Sequence, residues 1–153
     1  MGLIDALLAQ RADRFVILTG ARSESRYVED VASRVHDDLK KRVVVAAGAL
    51  SLEELVALLV RLHVFVTNDS GPMHLAAAHG VPMVSLWGPG RPDFYAPKSP
   101  VHRTIYQHYR CSPCLYMFTT FEGMWCNHEG WCMQEISVET VVLAVEETLA
   151  KRA

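Results

Sequence analysis

The chain has 153 residues, half of them hydrophobic, and a formal net charge of −2 at pH 7. That length suits one domain, 1–153, with a single core, and no apolar run reaches the ~20 residues that a membrane-spanning helix needs. There is no Lys/Arg cluster to form a nucleic-acid footprint, and Met1 to Gln10 lacks the basic start of a secretory signal, so a cytoplasmic protein without nucleic acid as its main partner is expected.

Helix and strand patterns alternate along the chain. A helical start at Leu3–Gln10 is followed by the β-rich run Phe15 to Leu18, a helical stretch near Tyr27 to Lys40, and Val43-Val44-Val45. Ser51 and Glu54 have capping-box spacing ahead of a helix whose apolar face is Leu55, Val56, Leu58, Leu59 and Leu62. Val64 to Val66 and Met83 to Trp87 are the next strands, with a helix of alanines between them, and His102 to Gln107 reads as the last. Residues 109–135 form an aromatic, cysteine-rich loop. Ser137 then caps a closing helix, at about 137–151, with Val138, Val141, Val142 and Val145 inward. Short apolar strands separated by helices specify an α/β class: a Rossmann-like parallel sheet with helices on both faces.

The stretch Asn68-Asp69-Ser70-Gly71-Pro72-Met73-His74 falls between a strand and the following helix, where open α/β sheets bind ligands. Free N–H groups of the first turn attract phosphate, Gly71 permits close backbone approach, Ser70 adds a hydroxyl, and Pro72 suits a position needing no N–H. His74 lies one turn in, able to donate to a ligand oxygen. The alternative is local: Asp69 or Ser70 caps the helix and His74 is a satisfied interior histidine.

The segment "TNDSGPMHLAAAHGVPMVSLWGP" resembles the donor-binding motif of glycosyltransferase family 9, the ADP-heptose:lipopolysaccharide heptosyltransferases, and "FVILTGARSES" and "AGALSLEELVALLVRLHVFV" are similar to the preceding units of that family's C-terminal domain. The resemblance implies the C-terminal, nucleotide-sugar-binding half of a two-domain GT-B glycosyltransferase of lipopolysaccharide core biosynthesis. It places Asp69 on the transferred sugar, Ser70 and Gly71 on the diphosphate, His74 at the same end of the donor, and Glu24 on the nucleoside side; Gly88 and Pro89 match a turn that closes on the site. A solvated first helical turn is the other reading of Glu24. Gly90 departs from the family, which often carries Thr or Ser there. ADP-heptose is the expected partner, transfer needs no cofactor, and the location is the cytoplasm, extending to a peripheral place at the inner face of the membrane.

The family's general base, its first C-terminal-domain strand and the donor loop after that strand have no counterpart in this sequence. The expectation is therefore a donor-binding half incomplete for catalysis alone, served by an N-terminal acceptor domain or a neighbouring chain. The other reading is a non-catalytic nucleotide-binding or interaction module. With that first strand absent, the strands at Phe15 to Leu18 and Val64 to Thr67 are expected to close up and pair directly, since buried unpaired backbone groups are costly.

Cys111-Ser112-Pro113-Cys114 is followed by Cys126 after eleven residues and Cys132 after five more. Four thiolates can enclose a structural zinc, and an iron–sulfur centre is a further reading; His108 and His128 are alternative ligands. The plainer reading, which the sequence favours, packs the cysteines as small buried hydrophobes among Tyr109, Tyr116, Phe118, Phe121, Trp125 and Trp131.

Overall fold

A computed structural model describes residues 2–114, 126 and 128–151. The chain divides into two compact units, Met1–Ala57 and Leu58–Ala153.

In the first unit, α1 (Leu3–Gln10) buries Ala6, Leu7 and Leu8. Strand β1 (Val16–Leu18) runs parallel to β2 (Val43–Val45), with Val16 opposite Val43, and α2 (Ser25–Ser33) packs on β2. The helix expected to run to Lys40 stops at Ser33, where the Ser33 hydroxyl donates back to the Asp30 carbonyl ahead of a turn through His36, Asp37 and Asp38, which are poor helix formers. The turn is anchored: the Asp5 carboxylate accepts the His36 N–H at 3.0 Å. Arg42 then ties the start of β2 to the end of α1. Its Nη1 donates to the carbonyls of Leu8 at 2.9 Å, Arg11 at 2.7 Å and Arg14 at 3.3 Å, satisfying acceptors that a helix end leaves without partners. An Arg42→Ala variant should lose about 1.5–3 kcal/mol, the range for a hydrogen bond involving a charged group. Arg42→Lys should recover only part of it, because an ammonium lacks the planar fork. Urea unfolding reads both; an Ala variant within ~0.5 kcal/mol of the parent would show that the anchor is idle.

Helix α3 (Leu52–Leu59) begins with the predicted capping box, Ser51 Oγ accepting the Glu54 N–H at 3.2 Å and Glu54 Oε2 accepting the Ser51 N–H at 2.7 Å.

The second unit is built on a three-stranded parallel sheet of order β3-β4-β5, from β3 (Phe65–Asn68), β4 (Met83–Trp87) and β5 (His102–Tyr106). Phe65 faces Met83 and Met83 faces His102. Central β4 is nearly all buried, which explains why Ser85 alone interrupts its apolar run. Helix α4 (Gly71–Ala78) packs on β3 and β4, its Met73 and Ala76 buried; a short α5 (Pro92–Tyr95) precedes β5. Helix α7 (Val138–Ala150) lies on β4 and β5. Its inward face is Val141, Val142, Ala144 and Val145, with Val138 only half-buried, and Ser137 caps it by accepting the Thr140 N–H at 3.1 Å. A four-residue helix, α6 (Trp131–Gln134), stands within the segment expected to be loop and packs on β4.

The expected direct pairing of β1 with β3 is not formed: β1 pairs with β2, β3 pairs with β4, and the two belong to separate sheets. The expectation rested on burial. Strand β1 is three residues long and half-exposed, with Ile17 36% accessible, so water can serve backbone groups whose desolvation was assumed to force closure.

Candidate functional site

The carboxyl end of β3 delivers Asp69 and Ser70 to the start of α4. Ser70 has extended backbone (φ −156°, ψ 162°) and is the N-cap residue, yet its side chain caps nothing; its hydroxyl lies 3.1 Å from Thr67 Oγ1. Pro72 has no N–H and Met73 donates to the Ser70 carbonyl at 3.1 Å. Gly71, the first helical residue, thus offers the open N–H at the positive end of the helix. A Cβ at Gly71 would meet nothing within 4 Å, so the protein's own packing does not require glycine there. Asp69 and His74 are exposed, and among the described residues neither side chain has a hydrogen-bond partner. The local alternative, in which these groups cap the helix or fill the interior, is not what the chain adopts.

The turn after β4 stands beside them. A Cβ on Gly90 would lie 2.8 Å from Asp69 Oδ2 and 3.3 Å from the Trp87 ring. The Asp69 carboxylate therefore rests over Gly90, and a side chain at this place would have to shift it aside. Gly88 is equally confined: its Cβ would lie 2.7 Å from the Met133 side chain and 2.9 Å from Cys132 Sγ. Pro89 is exposed, but its carbonyl accepts the Cys114 N–H at 3.0 Å, and the Gly88 carbonyl accepts from the Ser112 hydroxyl. Segment 109–114 is thus fastened to the turn that abuts Asp69. Nothing in the sequence signalled these fastenings except the two glycines.

That segment opens a cavity of about 270 Å³ lined by Tyr109, Cys111, Cys114, Cys126, His128 and Cys132, among others. Cys132 is buried, as the plainer reading expected, but Cys111, Cys114 and Cys126 are exposed, so three of the four thiols border an opening instead of filling a core. Tyr116, Phe118, Phe121 and Trp125 lie outside the described residues, and His108 stacks edge-on against Tyr106 at 4.5 Å. Burial pushes the Cys114 thiol up, with the charges of Cys132, Cys126 and Cys111 adding to it. Burial likewise raises Cys132, followed by repulsion from Cys126 and Cys111. Cys114 and Cys132 therefore each stand within electrostatic reach of Cys111 and Cys126.

Glu24 belongs to the first unit, in a short 3₁₀ turn at Arg22–Glu24. Its Oε2 accepts the Ala21 N–H at 2.7 Å, so its carboxylate already has a structural duty in an exposed turn.

The sequence profile of glycosyltransferase family 9 (heptosyltransferase) matches residues 4–124. The chain belongs to that family. It is 36% identical over 90 residues to lipopolysaccharide heptosyltransferase 2 of Salmonella typhimurium, a match covering 59% of this chain and 26% of the relative. It is also 36% identical over 84 residues to lipooligosaccharide heptosyltransferase 2 of Haemophilus influenzae, covering 55% of this chain and 24% of the relative. The solved structure of ADP-heptose lps heptosyltransferase II from E. coli superposes with a TM-score of 0.76 at 25% identity, over 99% of this chain and 42% of that one. A glycosyltransferase family 9 structure from Veillonella parvula gives the same TM-score at 26% identity, over 97% and 40%. This family 9 chain thus spans about a quarter of the curated relatives it matches and about two-fifths of the solved chains. Among the described residues no helix is long and apolar enough to cross a membrane.

Proposed function

We propose that this chain is the nucleotide-sugar-binding half of a heptosyltransferase acting in lipopolysaccharide core biosynthesis, with ADP-heptose as the donor. The observation that carries this reading is the set Asp69, Ser70, Gly71 and His74 at the start of α4, where the Asp69 and His74 side chains have no hydrogen-bond partner among the described residues, in a chain of glycosyltransferase family 9. The Gly71 N–H, the helix dipole and the Ser70 hydroxyl receive the diphosphate. His74 donates to an oxygen at the same end, and Asp69, steadied over Gly90, accepts from the hydroxyls of the sugar. Gly88 and Pro89 hold the turn beside Asp69.

Transfer to an acceptor hydroxyl needs a base within hydrogen-bond reach and a second wall that excludes water. An acceptor-binding domain or neighbouring chain supplies both, the reaction requires no cofactor, and these residues alone bind the donor without turning it over efficiently. The protein works in the cytoplasm, at the inner face of the membrane where a lipid-linked acceptor is presented.

Calorimetric titration with ADP, UDP, GDP and ADP-heptose tests the reading. Binding of ADP and ADP-heptose is expected on the order of 0.1 to 1 mM, or about 4 to 5.5 kcal/mol. Asp69→Ala should weaken ADP-heptose more than ADP, and His74→Ala should weaken both by about tenfold, near 1.4 kcal/mol, with unchanged circular dichroism. Equal binding by both variants and the parent would remove this site from consideration.

A further inference from the structure

The cysteine cavity lies outside the donor reading. Its four sulfurs come from three places in the chain: Cys111 and Cys114 precede the segment 115–125, Cys126 follows it, and Cys132 sits on α6. All four line one opening, although nothing in the apolar packing of β4 or α7 requires the three exposed ones to be cysteine.

The sulfur of Cys126 already accepts the Gly130 N–H at 3.2 Å, a bond that a thiolate accepts far better than a neutral thiol. Glu129 and Gly130 both adopt left-handed backbone, φ 52° and 81°, and so turn that N–H back towards Cys126. The left-handed region is uncommon for a residue such as glutamate, so the turn is held by its surroundings. Cys132 Sγ abuts Gly88 and the Cys114 N–H is fixed to Pro89, which holds the Cys132 sulfur and the Cys114 backbone beside that turn.

We propose that Cys111, Cys114, Cys126 and Cys132 form a tetrathiolate zinc site that clamps residues 109–114 and α6 onto the turn at Gly88 to Gly90. Among the described residues no three ligand side chains already stand at a common coordinating point. Binding therefore draws the exposed Cys111, Cys114 and Cys126 inward across the cavity towards Cys132, while the four thiols release their protons to solvent as the Zn–S bonds form. Zinc suits the set because thiolates are soft ligands and zinc imposes no preferred geometry of its own. The consequence reaches the donor loop, since the clamped turn is the one over which Asp69 lies.

The test is elemental analysis of untagged protein purified without a metal-affinity step or chelator. Close to one equivalent of zinc per chain is expected, and cobalt(II) exchanged into the site should show the intense visible bands of a tetrahedral thiolate complex. Cys111→Ser and Cys126→Ser, both at exposed positions where the fold is not at stake, should each lose most of the metal. Cys132→Ser should lose it together with local order. Zinc that stays far below one equivalent after reconstitution, retention of full zinc by the Cys111 and Cys126 variants, or iron with acid-labile sulfide in its place would each overturn the assignment. The readout is metal content, so its failure leaves the nucleotide titrations unaffected.

Discussion

Ser85→Ala should destabilise the second unit by about 2–3 kcal/mol, although it removes a single oxygen. Ser85 lies on central β4 and is fully buried. Its Oγ accepts the Trp87 Nε1–H at 2.7 Å and lies 2.7 Å from His102 Nε2. His102 Nδ1 lies 2.6 Å from the Pro97 carbonyl, which can only accept, so Nδ1 carries a proton, and in the neutral ring Nε2 accepts the Ser85 hydroxyl. The chain Trp87→Ser85→His102→Pro97 is complete in one direction. Alanine leaves the indole N–H of a fully buried Trp87 without an acceptor, costing about 1–3 kcal/mol for desolvation alone, and deprives half-buried His102 of its donor. Urea unfolding followed by tryptophan fluorescence measures this directly. A loss under ~0.5 kcal/mol, the scale of an ordinary surface change, would show that the relay contributes little.

Gly48→Ala should cost about 3 kcal/mol, and Gly80→Ala only about 1–2 kcal/mol, though both glycines are left-handed. Gly48 has φ 70° and Gly80 φ 66°. The difference is room. A Cβ at Gly48 would lie 2.7 Å from Ser25 Oγ and 2.8 Å from the Arg22 Cα, while at Gly80 it would meet nothing within 4 Å. Main chain at Arg22 cannot swing aside as a side chain can. The two loops are also tied together by the Gly48 N–H to the Gly20 carbonyl at 2.9 Å and the Ser25 hydroxyl to the Ala47 carbonyl at 3.2 Å. Both variants therefore carry the backbone penalty, and only Gly48→Ala also forces the loops apart. Equal losses in paired urea titrations would show that the close approach is relieved at no cost.

The elements that the sequence determined are those governed by neighbours along the chain. Ser51 and Glu54 could be paired from spacing alone because a capping box closes within one turn. Ser137 and the inward valines of α7 were legible for the same reason, as was β4, whose five consecutive strand residues declare burial on both faces. The place of Asn68 to His74 at a strand-to-helix junction was legible because a strand pattern and a helix pattern meet there within a few residues. The end of α2 was not, since apolar periodicity past Ser33 competes with a side-chain bond to Asp30 and with the grip of Asp5 on His36, a residue thirty-one positions away.

What only the tertiary structure decided involves groups distant in sequence. No local pattern could tell that the Asp69 carboxylate would lie over Gly90, that Gly88 would face Cys132 and Met133, or that Arg42 would collect three carbonyls from the end of α1. The direct pairing of β1 with β3 was a reasonable inference from the cost of unpaired backbone, and it failed because that cost depends on exclusion of water. Exclusion of water is a property of the folded surroundings, not of the strand. The same holds for the cysteines: their spacing named the candidate ligands, but whether a thiol is packed away or borders an open cavity is set by which distant residues cover it, and that decision is made only when the chain has folded.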